Sequence, residues 1–302
     1  MSLPIKYSEE VLRAKKFNQP IVALESTIVT HGMPYPDNIN TAIDVEEIVR
    51  KTGAVPATIA IIDGKISIGM SQTQLTELSQ TRNIRKLSRA DLPLCLSNRT
   101  TGSTTVAATM ICASLAQIKV FATGGIGGVH RDAIETMDIS ADLRELSNTN
   151  VSVVAAGPKA ILDIPKTLEV LETLGVPVIS YQNDQIPAFW SRDSGYEASL
   201  KINTINEIAE FIKFRDLLGL EGGCLITNPV PKKDEISLEL INPIVENAII
   251  KAKRNNISGK DVTPFLLNEI FELTEGKSLE TNIALIKNNA KLAAKLSLAL
   301  KE

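Results

Sequence analysis

Histidine is nearly absent from this chain: His31 and His130 are the only two in 302 residues. No H-E-x-x-H occurs, so spacing gives no support to a histidine-rich metal centre. Cysteine is equally sparse. Cys95, Cys112 and Cys224 sit far apart in apolar segments and form no C-x-x-C pair. That provides neither a zinc nor a disulfide framework and predicts buried thiols in a reducing compartment. Neither sign of charge dominates. A net charge of -3 and a pI near 5.7 exert no pull toward nucleic acid or a membrane surface. No apolar run reaches membrane-spanning length and the N-terminus has no signal-peptide core, so a cytoplasmic location is expected. Internal repeats and low-complexity linkers are missing as well. Two nucleotide motifs also fail: G-x-x-x-x-G-K-[ST] does not occur, and His130 stands where the third glycine of G-x-G-x-x-G belongs.

What is present is an ordinary globular composition, 44% hydrophobic and 22% charged. The length suits one large α/β domain or two smaller ones. Apolar runs at Pro20–Thr27, Ala57–Ile62, Lys119–Ala122, Val151–Ala156, Val176–Tyr181 and Gly222–Thr227 read as strands. Asp63-Gly64 signals a hairpin back through Lys65–Gly69. Helical stretches alternate with the strands. Residues 1–18 read as a short helix, a second helix starts at Asp37 or Asn38, and a third starts at Gly102-Ser103 with Thr104 and Thr105 in its first turn. Arg85–Asp91 reads as a basic connection, and the segment around Trp190 as a packed loop. Helices at Ser237–Asn255, Pro264–Leu273 and Leu279–Leu300 close the chain. The alternation predicts an α/β domain layered around a parallel or mixed sheet. Ligands in such folds gather at the carboxyl ends of strands, where Glu25, the Gly124–Gly128 loop, Lys159 and Asn228 all fall.

The stretch Phe121–Asp163 concentrates reactive groups. Its glycines either let backbone N–H groups approach a phosphate or simply form a tight turn. His130 is either a structural hydrogen-bonder or a site residue. Asp138 and Asp142, four apart, would share a helix face. They form a solvated pair, a helix cap at Asp138, or an oxygen site for Mg²⁺ or Mn²⁺. Lys159 follows a buried strand through Gly157-Pro158. It is either exposed and inert or desolvated enough to be a nucleophile. Glu25, ending an apolar strand, could serve as an acid.

Several long blocks, in this order, resemble the pseudouridine-5'-phosphate glycosidase family, also called indigoidine synthase A-like. They are Ala23–Pro36, Gly102–Met110, Phe121–His130, Asp138–Leu143, Asn228-Pro229, Thr263–Leu267 and Thr281-Asn282-Ile283. The resemblance spans nearly the whole chain and implies a single glycosidase domain over residues 1–302. The implied fold is a three-layer α/β/α sandwich with a mixed sheet and a helical C-terminal part, in a homotrimer. The implied reaction is reversible cleavage of the C–C glycosidic bond of pseudouridine 5'-phosphate to uracil and ribose 5-phosphate, with Mn²⁺ or another divalent metal. By position, Lys159 matches the lysine that bonds C1', Glu25 the proton donor and Asp138 the metal ligand. Lys86, Val106, Ser140, Ala141 and Asp142 match substrate contacts. His130 and Asn282 match further active-site positions. A Schiff-base lyase or aldolase on another sugar phosphate would need the same lysine; a non-catalytic sugar-phosphate sensor would have no need for both Glu25 and Lys159, and their presence together argues against it.

Overall fold

The computed structural model describes residues 2–255, 257 and 262–302. In chain order, β1 (Ile5–Tyr7) and α1 (Glu9–Lys16) precede β2 (Ile21–Glu25). Then α2 (Thr27–Thr30) and α3 (Asp37–Thr52) lead to the hairpin of β3 (Val55–Ile62) and β4 (Lys65–Ile68). Next come α4 (Gln72–Gln80), β5 (Arg85–Leu87), α5 (Leu92–Ser97), β6 (Gly102–Thr104) and α6 (Val106–Leu115). They are followed by β7 (Val120–Ala122), β8 (Val129–His130), α7 (Ala133–Thr136), α8 (Ala141–Asn148) and β9 (Ser152–Ala155). After β10 (Leu162–Asp163) and α9 (Ile164–Thr173) come β11 (Val178–Tyr181), β12 (Leu200–Ile202), α10 (Ile205–Leu217) and β13 (Leu225–Thr227). The chain closes with α11 (Leu238–Arg254), α12 (Val262–Leu273) and α13 (Lys277–Ala299).

An 11-stranded sheet runs in the order β1-β4-β3-β2-β7-β9-β13-β11-β12, and β6 pairs β3 while carrying β5. Its central strands β3, β2, β7, β9, β13 and β11 are parallel. Only β4 and β6 oppose their neighbour β3, so the sheet is mixed, as the Asp63-Gly64 hairpin required. The central strands are apolar throughout because both faces are covered. Side chains alternate across them. Val22, Leu24, Val120, Ala122, Val154 and Ala156 pack with residues of α3, α10, α11 and α13. Ala23, Phe121, Val153 and Ala155 pack on the other face, against α6, α8 and α9. Two cores on opposite faces of one sheet make the three-layer sandwich.

Local assignments shifted in four places. Residues 2–18 are not one helix: Ile5–Tyr7 adds a parallel edge strand to β4 before Ser8 caps α1. The strand from Pro20 stops at Glu25, and one helical turn begins at Thr27. Ser103 and Thr104 are strand rather than first turn. Thr104 is fully buried, with its hydroxyl donating to the Ile59 carbonyl at 2.7 Å, and Thr105 is the cap of α6. Lys86 belongs not to a loose connection but to a strand, paired in parallel with Ser103. Three of the four differences share one origin: short β segments that a neighbouring strand supports without any period-2 signal of their own. The three C-terminal helices and the Trp190 loop lie where the sequence places them.

Candidate active site

The carboxyl ends of β2, β7 and β9 open into a cavity of about 330 Å³. Glu25, the last residue of β2, sits on its floor. One carboxylate oxygen accepts a hydrogen bond from the Thr27 hydroxyl and the other from the Thr123 hydroxyl. The two threonines come from the turn after β2 and from the end of β7, so the sheet itself fixes the rotamer of Glu25. Thr123 is in turn held by its N–H to the Val154 carbonyl and, through its own carbonyl, by the Asn289 amide on α13 at 2.8 Å.

Beyond β7 the glycine loop continues beside the segment leading to Lys159. Ala156 N–H donates to Gly124 O, Ile126 N–H to Gly157 O, and Lys159 N–H to Ile126 O. This ladder extends the β7–β9 pairing past the strand ends and delivers Lys159 to the cavity wall. The glycines are there for close packing. A Cβ on Gly125 would stand 2.6 Å from Phe189 Cδ2, and one on Gly127 would stand 2.6 Å from Ser140 Cβ. The turn reading of this loop holds at Gly127, since its N–H donates to Asp142 Oδ2 at 2.8 Å and is not left for a phosphate.

Asp138 and Asp142 do not share a helix face. Asp138 precedes α8 in an extended segment, where Val129 bridges Ile139 and His130 N–H donates to Asp138 O. That pairing brings the Asp138 carboxylate within 3.9 Å of His130 Nε2 at the cavity edge. Asp142 lies inside the first turn of α8, capped by Ser140, and is buried. Its Oδ1 accepts from Ala107 N–H at 2.9 Å while Oδ2 holds Gly127. Both its oxygens are thus committed to backbone, and the residue ties the N-terminus of α6 to the glycine loop.

The ten site residues expected from the sequence all line this one cavity: Glu25, Lys86, Val106, His130, Asp138, Ser140, Ala141, Asp142, Lys159 and Asn282. Asn228, expected at the same strand ends, does not: it is buried, and its amide donates to Asn289 Oδ1 at 3.0 Å. Sequence reasoning passed over four others that line or brace the cavity. His31 lines the same wall, with Nδ1 2.6 Å from the Thr30 hydroxyl. Burial and the positive charge of Lys86 hold its imidazole below the usual histidine range, against a backbone hydrogen bond at Ile84. Thr27 and Thr123 grip Glu25. Phe189 covers the glycine loop. The first three were legible only as neighbours of motif residues, and Phe189 had no signal beyond its place beside the lone tryptophan.

For a divalent cation, the donors present fit one mode. Of the three cavity carboxylates, Glu25 is held by two threonine hydroxyls and Asp142 by two backbone N–H groups, which leaves Asp138, with His130 Nε2 at 3.9 Å. Among the described residues no cluster of three or more His, Cys, Asp or Glu side chains converges. One carboxylate plus water and substrate oxygens is a normal environment for a hard, largely hydrated ion.

An α/β sandwich with an acid, an amine and cationic side chains gathered at parallel-strand ends has the form of an enzyme for a small anionic substrate. Comparisons with known proteins sharpen this. The family model described as "Indigoidine synthase A like protein" matches residues 10–299. A Jannaschia sp. protein named pseudouridine-5'-phosphate glycosidase is 57% identical over 99% of both chains. One of the same name from Geobacillus kaustophilus is 56% identical over 96% of this chain and 97% of its own. Among solved structures, an indigoidine synthase A-like protein from Thermotoga maritima superposes with a TM-score of 0.91 at 33% identity, covering 99% of this chain and 97% of that one. A prealnumycin C-glycosynthase in complex with ribulose 5-phosphate superposes at 0.92 and 32% identity, covering 100% and 98%. The chain belongs to the indigoidine synthase A-like family.

Proposed function

We propose that this chain is a pseudouridine-5'-phosphate glycosidase, an enzyme that reversibly cleaves the C–C bond between C1' of ribose 5-phosphate and C5 of uracil. The names of its full-length relatives support the reading. So does one observation above all: Glu25 and Lys159 line a single cavity from the ends of β2 and β9, with β7 between them. An ordinary glycosidase protonates a heteroatom leaving group with one of two carboxylates. Here the leaving atom is carbon, and an acid paired with an amine suits that problem better.

In this mechanism Glu25 gives a proton to the ribose ring oxygen as the C1'–O4' bond breaks, and Nζ of Lys159 bonds C1'. Having lost its extra proton, the nitrogen donates its electron pair to form C1'=N as the C1'–C5 bond breaks. C5 of uracil leaves with that bond's electrons and takes up a proton. Water adds to the iminium, the C1'–N bond breaks, and ribose 5-phosphate departs. Lys86, Val106, His130, Asn282 and the Ser140-Ala141-Asp142 turn hold and orient the substrate, using binding energy remote from the reacting carbon to place it. Asp142 does so through the backbone it anchors rather than by direct contact. Asp138 would hold Mn²⁺ or another divalent ion, which would supply positive charge against the substrate's oxygens.

The reading extends to a single catalytic domain over residues 1–302 acting as a cytoplasmic homotrimer on free nucleotides. Nucleic acid polymers and membranes are not its partners. No helix among the described residues is long and apolar enough to cross a membrane. The test is to incubate the protein with pseudouridine 5'-phosphate and Mn²⁺ and follow uracil and ribose 5-phosphate. Release that is lost on chelation and in Lys159→Ala, together with a borohydride-trapped ribose 5-phosphate adduct on Lys159, is the expected result. A trapped adduct in Lys159→Ala would overturn the assignment of the nucleophile. No release by the metal-loaded, folded protein would overturn the substrate and favour a lyase of another sugar phosphate.

A further inference from the structure

Trp190 is the only tryptophan in the chain and is 1% exposed. Its indole Nε1–H donates to Asn282 Oδ1 at 2.7 Å and to the Ser278 carbonyl at 3.2 Å. An indole N–H only donates, and an amide NH₂ does not accept. The bond therefore settles which way the Asn282 amide stands: oxygen toward Trp190, nitrogen away. Asn282 lines the cavity, so the end left for a ligand is the NH₂.

The loop that carries Trp190 is itself tightly held. Phe189 N–H donates to the Ala156 carbonyl, and the Trp190 carbonyl accepts from Ile236 N–H at 3.0 Å. The Phe189 and Trp190 rings meet edge to face, centroids 5.1 Å apart. Phe189 adopts φ 59°, a left-handed conformation that a bulky side chain rarely takes. This turn lets two consecutive side chains serve one site: Phe189 lines the cavity, and Trp190 passes behind it to Asn282.

We propose that Trp190 is a positioning residue that fixes Asn282 as an obligate hydrogen-bond donor, so that this point of the cavity selects an acceptor oxygen on the substrate. The inference rests on the reading of the cavity as a pseudouridine 5'-phosphate site. The acceptor is a uracil carbonyl or a phosphate oxygen, and the two are separable because each leaves with a different product.

Two measurements test it. The first needs no ligand. A single tryptophan gives one indole N–H resonance, and Asn282→Ala should shift that resonance upfield and speed its exchange with solvent. An unmoved resonance would overturn the hydrogen bond on which everything depends, whatever the substrate. The second is a double-mutant cycle on kcat/KM. Trp190→Phe and Asn282→Ala should each lower kcat/KM about tenfold, and the double variant should be no worse than Asn282→Ala within about twofold. Asn282→Asp should fall below Asn282→Ala, because an acceptor then faces an acceptor. If the two losses multiply, Trp190 acts by packing alone and the proposal fails. If Trp190→Phe does not fold, the Asn282 variants decide: Asn282→Asp no worse than Asn282→Ala would refute donor selection. Product inhibition completes the test. Asn282→Ala should weaken inhibition by uracil or by ribose 5-phosphate, which names the oxygen; weakening of neither would overturn the proposal. Failure of the wild type to release uracil would instead sink the function, leaving the resonance measurement to judge the Trp190–Asn282 bond.

Discussion

Asp138 and Asp142 look alike in sequence, and their stabilities should separate them sharply. Asp142→Ala removes the acceptor of two backbone N–H groups, Ala107 and Gly127, at 2.9 and 2.8 Å. A buried donor left unsatisfied costs about 1–3 kcal/mol. Ala107 is fully buried and takes a full penalty, whereas Gly127 borders the cavity and can recover part of its loss from water. The expected loss is about 3–4 kcal/mol, a large fraction of a typical domain's stability of about 5–15. Asp142→Asn keeps one acceptor oxygen but turns an NH₂ toward the other donor, so about half that loss, about 1.5–2 kcal/mol, is expected. Asp138→Ala faces the cavity without gripping backbone and should change stability by less than about 0.5 kcal/mol. Urea unfolding followed by Trp190 fluorescence reads all three, as midpoints at constant slope. The order Asp142→Ala, Asp142→Asn, Asp138→Ala is required. If Asp142→Ala unfolds at the same urea concentration as Asp138→Ala, Asp142 does not tie α6 to the glycine loop, and its role must be direct contact with substrate.

Other consequences follow from the same geometry. Glu25→Gln should lower kcat by about 10²–10⁴-fold with modest change in KM, as expected for loss of a general acid, and an unchanged kcat would remove it from that role. His31 carries a pH signature. Burial and Lys86 depress its folded value below about 6.5, so the unfolded chain binds more protons in the window between the two values. Stability should therefore rise with pH through that window and be lost as pH falls through it; His31→Gln should flatten the fall of the urea midpoint as pH drops below about 6.5. Burial pushes the Cys112 thiol up to about 12 and, with smaller opposing contributions, the Cys224 thiol up to about 11. Neither should react with a thiol reagent until the protein is unfolded, and prompt labelling of the native protein would contradict their burial.

Much of the fold is written in the chain because its strands are buried on both faces. Val22-Ala23-Leu24 and Val153-Val154-Ala155 read as apolar runs for the same reason that they end up sandwiched. The C-terminal helices were legible too, at Leu238–Arg254, Val262–Leu273 and Lys277–Ala299. Lys86 and Ser103 were not, because a strand of three residues has no pattern and forms only when a partner presents its edge. The site was legible where a polar group interrupts an apolar strand end, as at Glu25 and Lys159. It was misread at Asp138 and Asp142. A spacing of four suggests a shared face only if the helix has already begun, and here Ser140 starts it between them. Thr123, Asn289 and Trp190 escaped because their function is to hold other residues. That relation spans 98 positions between Thr123 and Glu25, and 92 between Trp190 and Asn282, which no local pattern records.

The strand order sets how the acid and the amine of the proposed mechanism stand to one another. Glu25 and Lys159 come from β2 and β9, with β7 intervening. Neighbouring strands lie about 4.8 Å apart, so the two backbones are separated by about 10 Å. What keeps the carboxylate on its own side of the cavity that both residues line is the pair of threonine hydroxyls, Thr27 and Thr123, that hold its two oxygens. Thr123, at the end of the middle strand, fills the gap from below and holds Glu25 to its own side. A substitution that lets Glu25 swing toward Lys159, such as Thr123→Val, should depress turnover while leaving the apolar core volume and stability nearly unchanged. Circular dichroism melts beside uracil-release rates would show that split, and a parallel fall in both would argue that Thr123 serves the fold alone.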